Sequence, residues 1–269
     1  MKPRAAVIIN PISGAGRRRD LARIRAEHAA ALADAREIDA EIIVTERQGH
    51  ARELAEAARH RGVTMFLAWG GDGTVNEVAS AIVHSDASLA IVPSGSGNGL
   101  ARELGIPFDP AAAFGIAFDG RARQIDAGQL DGRWFFNLAG IGLDARVAHR
   151  FAEGGLQRRG FVRYLELAAR ELMTFEPQHL TIWTDGATTS TRPLLVAIAN
   201  ARQYGNGALI APQARVDDGK LDLVIVNNRS VWAVMRHVRR LFSGELARVP
   251  GVSMTQITTV SISCALPVA

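Results

Sequence analysis

The amino-acid sequence predicts an N-terminal α/β domain, with a parallel sheet and helices on both faces, followed by a C-terminal β-sandwich domain. Three observations support this prediction. Strand and helix signals alternate over the first 120 residues, short strand-like segments replace this alternation near Ile125, and 48% of the 269 residues are hydrophobic while 22% are charged. At roughly 150 residues per domain, the length accommodates two domains. We expect the domains to cover residues 1–124 and 125–269.

In the first half, short apolar runs alternate with apolar residues at helical spacing. The predicted strands cover residues 5–9, 41–45, 63–68 and 89–92, and the predicted helices carry the apolar sets Leu21, Ile24, His28 and Leu32; Ala51, Leu54, Ala55 and Ala58; and Val75, Val78, Ala79 and Ile82. Gly62 stands where a left-handed residue would end the second helix. Such alternation predicts a parallel sheet, which binds ligands at the carboxyl ends of its strands.

The second half has strand-like segments separated by turns that contain Gly and Asp, a pattern typical of antiparallel strands. The predicted strands cover residues 133–138, 179–184, 194–199, 221–226 and 260–263. Two helical patterns, over residues 161–175 and 231–242, interrupt them. In the second pattern Arg236, His237, Arg239 and Arg240 lie opposite an apolar stripe. This helix either covers a sheet or contacts an anionic membrane surface.

Composition excludes several classes of protein. Cys264 is the single cysteine, so the chain has neither an intrachain disulfide nor a four-cysteine zinc site. No run of eighteen apolar residues occurs, and only five apolar residues follow Arg4, so we expect neither a membrane span nor a signal peptide and predict a cytoplasmic protein. The net charge of +4 permits anionic partners. Aromatic residues make up 6% and form no basic-aromatic motif, which argues against nucleic acid.

Three segments rich in small residues each follow a predicted strand and precede a helix. The segments cover residues 10–16 (Asn-Pro-Ile-Ser-Gly-Ala-Gly), 70–74 (Gly-Gly-Asp-Gly-Thr) and 93–102 (Pro-Ser-Gly-Ser-Gly-Asn-Gly-Leu-Ala-Arg). We use the names loop 1 for residues 10–14, loop 2 for residues 70–74 and loop 3 for residues 93–98. Small residues let a ligand approach the backbone, and free amides at helix starts favour anions. Because the loops follow strands of one parallel sheet, we expect them to converge on a nucleotide.

Loop 2 carries the sharpest signal. Asp72 places a carboxylate beside the glycines, where it could bind Mg²⁺ or accept a proton, and no structural role for it is evident from the sequence. Thr74 and Glu77 have the spacing of a capping box, which predicts that they start the following helix. A P-loop sequence of the Gly-x-x-x-x-Gly-Lys-Ser/Thr type is absent from the chain.

The order and spacing of these segments resemble the diacylglycerol kinase catalytic-domain family, which includes bacterial soluble lipid kinases and the sphingosine and ceramide kinases. The resemblance continues in residues 137–145 (Asn-Leu-Ala-Gly-Ile-Gly-Leu-Asp-Ala) and 217–222 (Asp-Asp-Gly-Lys-Leu-Asp), and so covers nearly the whole chain. Gly-Gly-Asp-Gly-Thr alone would not be specific, because NAD kinases share it.

This resemblance implies an ATP-dependent kinase that transfers the γ-phosphate to a lipid hydroxyl, most simply that of diacylglycerol. By position, it implies ATP contacts at Asn10, Pro11, Ile12, Ser13, Gly14, Thr45, Gly70, Gly71, Asp72, Gly73, Thr74, Val75, Asn76 and Ser96. It also implies a structural Mg²⁺ bound by the Asp218 carboxylate and by the backbone carbonyls of Arg215 and Lys220. A hairpin turn without metal is the alternative for these three residues.

The sequence departs from the family in two places. Gly97-Asn98-Gly99 in and after loop 3 is closer to the sphingoid kinases, which leaves the acceptor lipid open. The chain ends at Leu266–Ala269, about where relatives carry an Asp-Gly-Glu-like segment with the proposed general base, so Asp72 becomes the leading candidate for the base. The alternatives are a sphingoid or ceramide kinase, an NAD kinase-like enzyme and a nucleotide-binding module inactive through loss of the base. A homodimer and peripheral contact with the inner membrane face stay open.

Overall fold

The computed structural model describes residues 4–14, 20–153, 161–227 and 231–264. Leu266–Ala269 lie outside the described residues. The internal contacts of the chain divide it into two units, with the division between Arg123 and Gln124. Among the described residues, no helix combines the length and the apolar character needed to cross a bilayer.

The first unit is a four-stranded sheet in which all neighbouring strands run parallel. Its strands are β1 (Arg4–Ile9), β2 (Asp39–Val44), β3 (Met65–Gly70) and β4 (Ser88–Pro93), and its helices are α1 (Leu21–Asp34), α2 (His50–His60), α3 (Asp72–Ile82), α4 (Gly99–Glu103) and α5 (Pro110–Asp119). The predicted parallel α/β architecture is thereby confirmed.

The strand order β2-β1-β3-β4 determines where a ligand can bind. From β1 the chain continues to β2, toward one edge strand of the sheet, and from β3 it continues to β4, toward the other edge strand. The connections therefore diverge between the carboxyl ends of β1 and β3, and such a switch point leaves a crevice open to a ligand. Loops 1 and 2 border this crevice.

Helices cover both faces of the sheet, which explains why the strands are continuous apolar runs. All five residues from Ala5 to Ile9 are fully buried. On one face Trp69 packs edge-on against Phe114, with ring centroids 5.9 Å apart. Ile24, which belongs to the apolar set at helical spacing in α1, is 41% exposed. This helix instead contacts the sheet through the small side chains Ala29 and Ala33.

The second unit is built on antiparallel pairing. Its strands are β5 (Gly128–Leu130), β6 (Arg133–Phe135), β7 (Leu138–Gly142), β8 (Leu180–Thr184), β9 (Ala187–Thr191), β10 (Leu195–Ala199), β11 (Gln203–Gly205), β12 (Ala208–Leu209), β13 (Leu221–Val226), β14 (Val252–Ile257) and β15 (Val260–Cys264). Its helices are α6 (Leu143–Glu153), α7 (Phe161–Thr174) and α8 (Val231–Ser243), with a short 3₁₀ helix at Leu246–Arg248.

A four-stranded sheet, β14-β13-β10-β7, and a three-stranded sheet, β15-β8-β9, form the predicted β-sandwich. Ile182, Val196 and Ile225 belong to the apolar cluster between them. The opposite face of the larger sheet packs against side chains of α6, α7 and α8, so it is not free. The predicted single strand over 133–138 is broken at Asn137, whose carbonyl oxygen accepts hydrogen bonds from the backbone N–H groups of Asn200 and Ala201.

Helix α8 covers the sheet, as one of the two predicted alternatives requires. Leu241 packs into the core, whereas Val238 is 43% exposed and Arg236 and Arg239 are exposed. Contact of this exposed face with a membrane stays a prediction.

Candidate active site

The structure places every predicted ATP-contacting residue at the carboxyl edge of the parallel sheet. Loop 1 follows β1, Thr45 follows β2, loop 2 ends β3 and starts α3, and loop 3 follows β4. Ser13 and Thr45 are buried, while Ile12 and Ser96 are exposed at the tips of their loops. Convergence of the three loops is therefore a property of the topology.

Asn10 joins loop 1 to the end of β3 with its backbone and to loop 2 with its side chain. Its backbone N–H donates to the carbonyl oxygen of Trp69 at 2.9 Å, and its side-chain Nδ2 donates to Thr74 Oγ1 at 2.9 Å. Its Oδ1 accepts the N–H of Ile12 at 3.1 Å, which closes a tight turn at the start of loop 1. One asparagine thus fixes both the path of loop 1 and its distance from α3.

Glycines allow the loops to touch through their backbones. A Cβ on Gly70 would lie 2.4 Å from Thr74 Oγ1, and a Cβ on Gly95 would lie 2.5 Å from Gly71 Cα. Gly14 has a φ of +90°, and a Cβ there would lie 2.6 Å from the carbonyl oxygen of Ser94. Gly73 is different, because apart from its chain neighbours and the backbone of its own helix nothing lies within 4 Å of its Cβ position. The fold alone does not explain a glycine at position 73.

The predicted capping box is wrong, because α3 begins at Asp72 and its N-cap residue is Gly71, which has no side chain to form a cap. Thr74 is buried and accepts the Asn10 bond instead. The Glu77 carboxylate accepts the N–H groups of Gly49 at 2.9 Å and Ala51 at 3.1 Å, at the start of α2. Glu77 therefore ties α3 to the segment after β2 that carries Thr45, and it leaves the first turn of α3 open.

Asp72 has a structural role that the sequence did not indicate. Its half-buried carboxylate faces the backbone N–H groups of Gly99, Leu100 and Asn98 at the start of α4, as well as its own N–H group. Burial raises the pKa of Asp72 above its ordinary value, and the favourable interaction of the carboxylate with these N–H groups acts in the opposite direction. Asp72 thus connects loop 2 to the helix after loop 3, while its service as a base or a Mg²⁺ ligand stays a prediction.

Two residues of loop 3 were not identified from the sequence. Asn98 is buried at a φ of +51°, where asparagine is better tolerated than most residues, and its side chain bonds the N–H and the carbonyl of Gly95 at 2.8 and 2.7 Å. Ser94 Oγ lies 2.6 Å from Ser13 Oγ and joins loop 3 to loop 1. The available signal was their position among glycines after a buried strand.

The predicted Mg²⁺ residues lie in the second unit, in the turn before β13. Asp218 Oδ1 accepts the N–H of Lys220 at 3.1 Å, and its Oδ2 accepts Gln256 Nε2 at 3.3 Å. The side chain of Arg215 is exposed and lies 3.6 Å from the carboxylate of Asp217, so Arg215 could reach a cation only through its carbonyl. In the described residues, no three His, Cys, Asp or Glu side chains converge as a metal site.

One buried carboxylate near this turn fits a cation. Asp222 is 8% exposed, and burial followed by the negative charge of Asp218 raises its pKa, against the smaller effect of Lys220. Two neighbouring carboxylates, one of them buried, are stabilised when a cation lies beside them. The residues present are therefore compatible with the predicted Mg²⁺, and the role of Asp218 as its ligand stays a prediction.

Two family models match the chain: the diacylglycerol kinase catalytic domain over residues 4–130, and the YegS C-terminal NAD kinase beta sandwich-like domain over residues 137–269. The chain belongs to the diacylglycerol kinase family. The predicted family resemblance is confirmed, and relatives in this family match the chain over most of their own length.

Two relatives and one solved structure illustrate the match. A diacylglycerol kinase of Mycobacterium tuberculosis is 32% identical over 97% of this chain and 85% of its own length. One of Staphylococcus aureus is 30% identical over 98% of this chain and 83% of its own. A crystal structure of a diacylglycerol kinase from Bacillus anthracis str. Sterne, 22% identical, has a TM-score of 0.73 and covers 98% of this chain and 87% of that one. This structure has the same fold.

The bridge made by Glu77 yields a prediction for this family member. Glu77→Gln replaces one acceptor oxygen with an amide group, which leaves one N–H of Gly49 or Ala51 without a partner. We expect the free energy of unfolding, measured with urea, to fall by about 1 kcal/mol. The control Glu56→Gln changes an exposed glutamate paired with Arg52 and should alter it by less than about 0.5 kcal/mol. Equal effects of the two changes would contradict the assigned bridge.

The buried carboxylate of Asp72 yields a second prediction. The pKa of Asp72 is higher in the folded chain than in the unfolded chain, so the folded chain binds this proton more tightly. The contribution of Asp72 to the free energy of unfolding therefore falls as the pH rises from about 4, the pKa of an unfolded aspartate, through the raised pKa of the folded chain. Asp72→Asn removes the titrating carboxylate and with it this pH dependence. The wild-type unfolding free energy minus that of Asp72→Asn should therefore decrease over this range in a urea series, and an increase would contradict the assignment.

Proposed function

We propose that the chain is an ATP-dependent lipid kinase that transfers the γ-phosphate of ATP to the hydroxyl of diacylglycerol or a related lipid. The observation that carries this proposal is the first turn of α3, where Gly73 has an unfilled Cβ position and where loops 1, 2 and 3 contact one another. Exposed N–H groups at a helix start bind phosphates. The names of the relatives support the lipid acceptor.

Each group of the crevice has a proposed task. The space over Gly73 admits the phosphates to the N–H groups of α3. Asn10 keeps loop 1 at a fixed distance from α3, and Ser94 keeps loop 3 at a fixed distance from loop 1. Bound Mg²⁺ would neutralise phosphate oxygens, which together with positioning accounts for most catalysis of phosphoryl transfer. Because the N–H groups are already oriented before the ligand arrives, the cradle needs little reorganisation.

Asp72 has two proposed roles, which the contacts weigh differently. A carboxylate offers about four acceptor sites, and those of Asp72 face the N–H groups of Gly99, Leu100 and Asn98 and its own N–H group. These bonds favour a role in positioning loop 3. The role of a base that accepts the lipid hydroxyl proton is the alternative, and it requires one of the acceptor sites to turn toward the acceptor.

A labelling experiment tests the activity. The protein is incubated with γ-labelled ATP, Mg²⁺ and mixed micelles of diacylglycerol, sphingosine or ceramide, with NAD as a soluble acceptor in a fourth arm. We expect label in a lipid, and Asp72→Asn should lower kcat at least tenfold, because both roles need the carboxylate. Asp86→Asn, an exposed change at the opposite edge of the sheet, should not lower it. Label in NAD, or bound ATP without transfer to any acceptor, would contradict the proposal.

Gly73→Ala tests the cradle without depending on the acceptor. Alanine favours the helix by up to about 1 kcal/mol, and its Cβ meets no protein atom, so the unfolding temperature should be unchanged or higher. The added methyl group enters the space proposed for the phosphates, so calorimetry should show ATP affinity lowered by about tenfold or more. Gly186→Ala, at another open glycine, is the control. Undiminished ATP binding by Gly73→Ala would overturn the proposed cradle.

A further inference from the structure

Arg25 reaches from α1 into loop 1. It lies in the second turn of the helix, and helical side chains point back toward the N-terminus, which directs it to the preceding loop. Its NH1 donates to the carbonyl oxygen of Asn10 at 2.6 Å and to Ser13 Oγ at 2.8 Å, and its NH2 donates to the carbonyl oxygen of Ser13 at 2.9 Å. One guanidinium group therefore holds both ends of the turn in loop 1.

The same group is linked to loop 3 through the Ser13 hydroxyl. Ser13 Oγ donates to the carbonyl oxygen of Asn10 at 2.9 Å, and its single proton is then used. It must accept from Arg25 and, at 2.6 Å, from the hydroxyl of Ser94. With these donors and acceptors, each of the hydrogen bonds made by Arg25, Ser13 and Ser94 uses a different proton. Arg25 thus anchors a chain of contacts that crosses the crevice from loop 1 to loop 3.

The charge of Arg25 is not neutralised within the described residues. All its acceptors are carbonyl or hydroxyl oxygens, and the residues three and four positions further along α1 are His28 and Ala29. The exposed arginines nearby differ, since Arg23 pairs with Glu27 at 2.7 Å and Arg52 with Glu56 at 2.8 Å. Arg25 is half-buried, and this desolvation lowers the pKa of its guanidinium. A desolvated cation without a counter-ion is costly unless an anion completes the site.

We infer that Arg25 is a positioning residue for the nucleotide: it holds loop 1 in its turn, and its positive charge has the phosphates of the bound nucleotide as counter-ion. This inference rests on the proposed function and deepens it. Arg25 acts through the Asn10 and Ser13 oxygens that it holds and through its electric field. Its contribution should therefore increase with the number of phosphates on the nucleotide.

Binding of ATP, ADP and AMP to full-length variants tests this inference. Calorimetry at constant Mg²⁺ should show that Arg25→Gln lowers ATP affinity on the order of tenfold more than AMP affinity. The matched control Arg23→Gln removes the same charge from the exposed face of the same helix and should leave the ratio of ATP to AMP affinity unchanged. A folded Arg25→Gln that binds all three nucleotides as wild type, or weakens all three by one factor, overturns the inference.

Arg25→Lys provides a second measurement if the glutamine variant does not fold. Lysine keeps the charge but cannot span the two carbonyl oxygens, so it should weaken all three nucleotides while keeping the preference for ATP over AMP. Loss of that preference would contradict the inference. Wild-type protein that binds no nucleotide would refute the proposed function itself, whereas wild-type binding of ATP with unchanged binding by both Arg25 variants would refute only the role of Arg25.

Discussion

Close backbone contact between loops 2 and 3 is the constraint on which the candidate site depends. A Cβ on Gly71 would lie 3.1 Å from Gly95 Cα, so neither loop can retreat or accept a side chain without separating the ends of β3 and β4. The N–H of Ser94 still donates to the carbonyl of Gly70 at 2.9 Å, which extends the strand pairing to the mouth of the crevice. The loops therefore extend the sheet, and the strand pairing beside them restricts their conformations.

Polar side chains complete what the glycines begin. Asn10, Glu77 and Ser94 each bond backbone or hydroxyl groups of a different segment, so each loop is tied to a neighbouring segment by at least one half-buried contact. A hydrogen bond of this kind contributes only about 1 kcal/mol, but a buried donor left unpaired costs about 1–3 kcal/mol. The network is therefore more effective at excluding other loop conformations than at adding stability, which is what a preformed anion site needs.

The sequence predicted those features that depend on burial or topology, and it failed where a partner distant in sequence decides. The strand β1 was recognisable because both its faces are covered, which requires a continuous apolar run. Gly62 was recognisable because a glycine directly after a helical pattern commonly ends a helix, and its φ of +84° agrees with that role. The Thr74 and Glu77 spacing suits a capping box equally well in any helix, but here Asn10 and the start of α2 take these side chains. The strand β9 (Ala187–Thr191) was missed because its residues are mostly polar and exposed, which leaves no alternation to detect.

Each of the two units contains a buried or half-buried charged group in an unfavourable electrostatic environment. In the first, the half-buried guanidinium of Arg25 contacts only neutral oxygens; in the second, the buried Asp222 lies under the negative field of Asp218. A fold selected for stability alone would neutralise or expose such groups, since burying a charge without a partner is unfavourable. The exposed arginines of α1 and α2 show that carboxylates are available as partners at the surface. The guanidinium beside loop 1 and the buried carboxylate next to the turn that contains Asp218 and Gly219 are therefore each unfavourable in the chain alone, and a ligand of opposite charge would offset the cost.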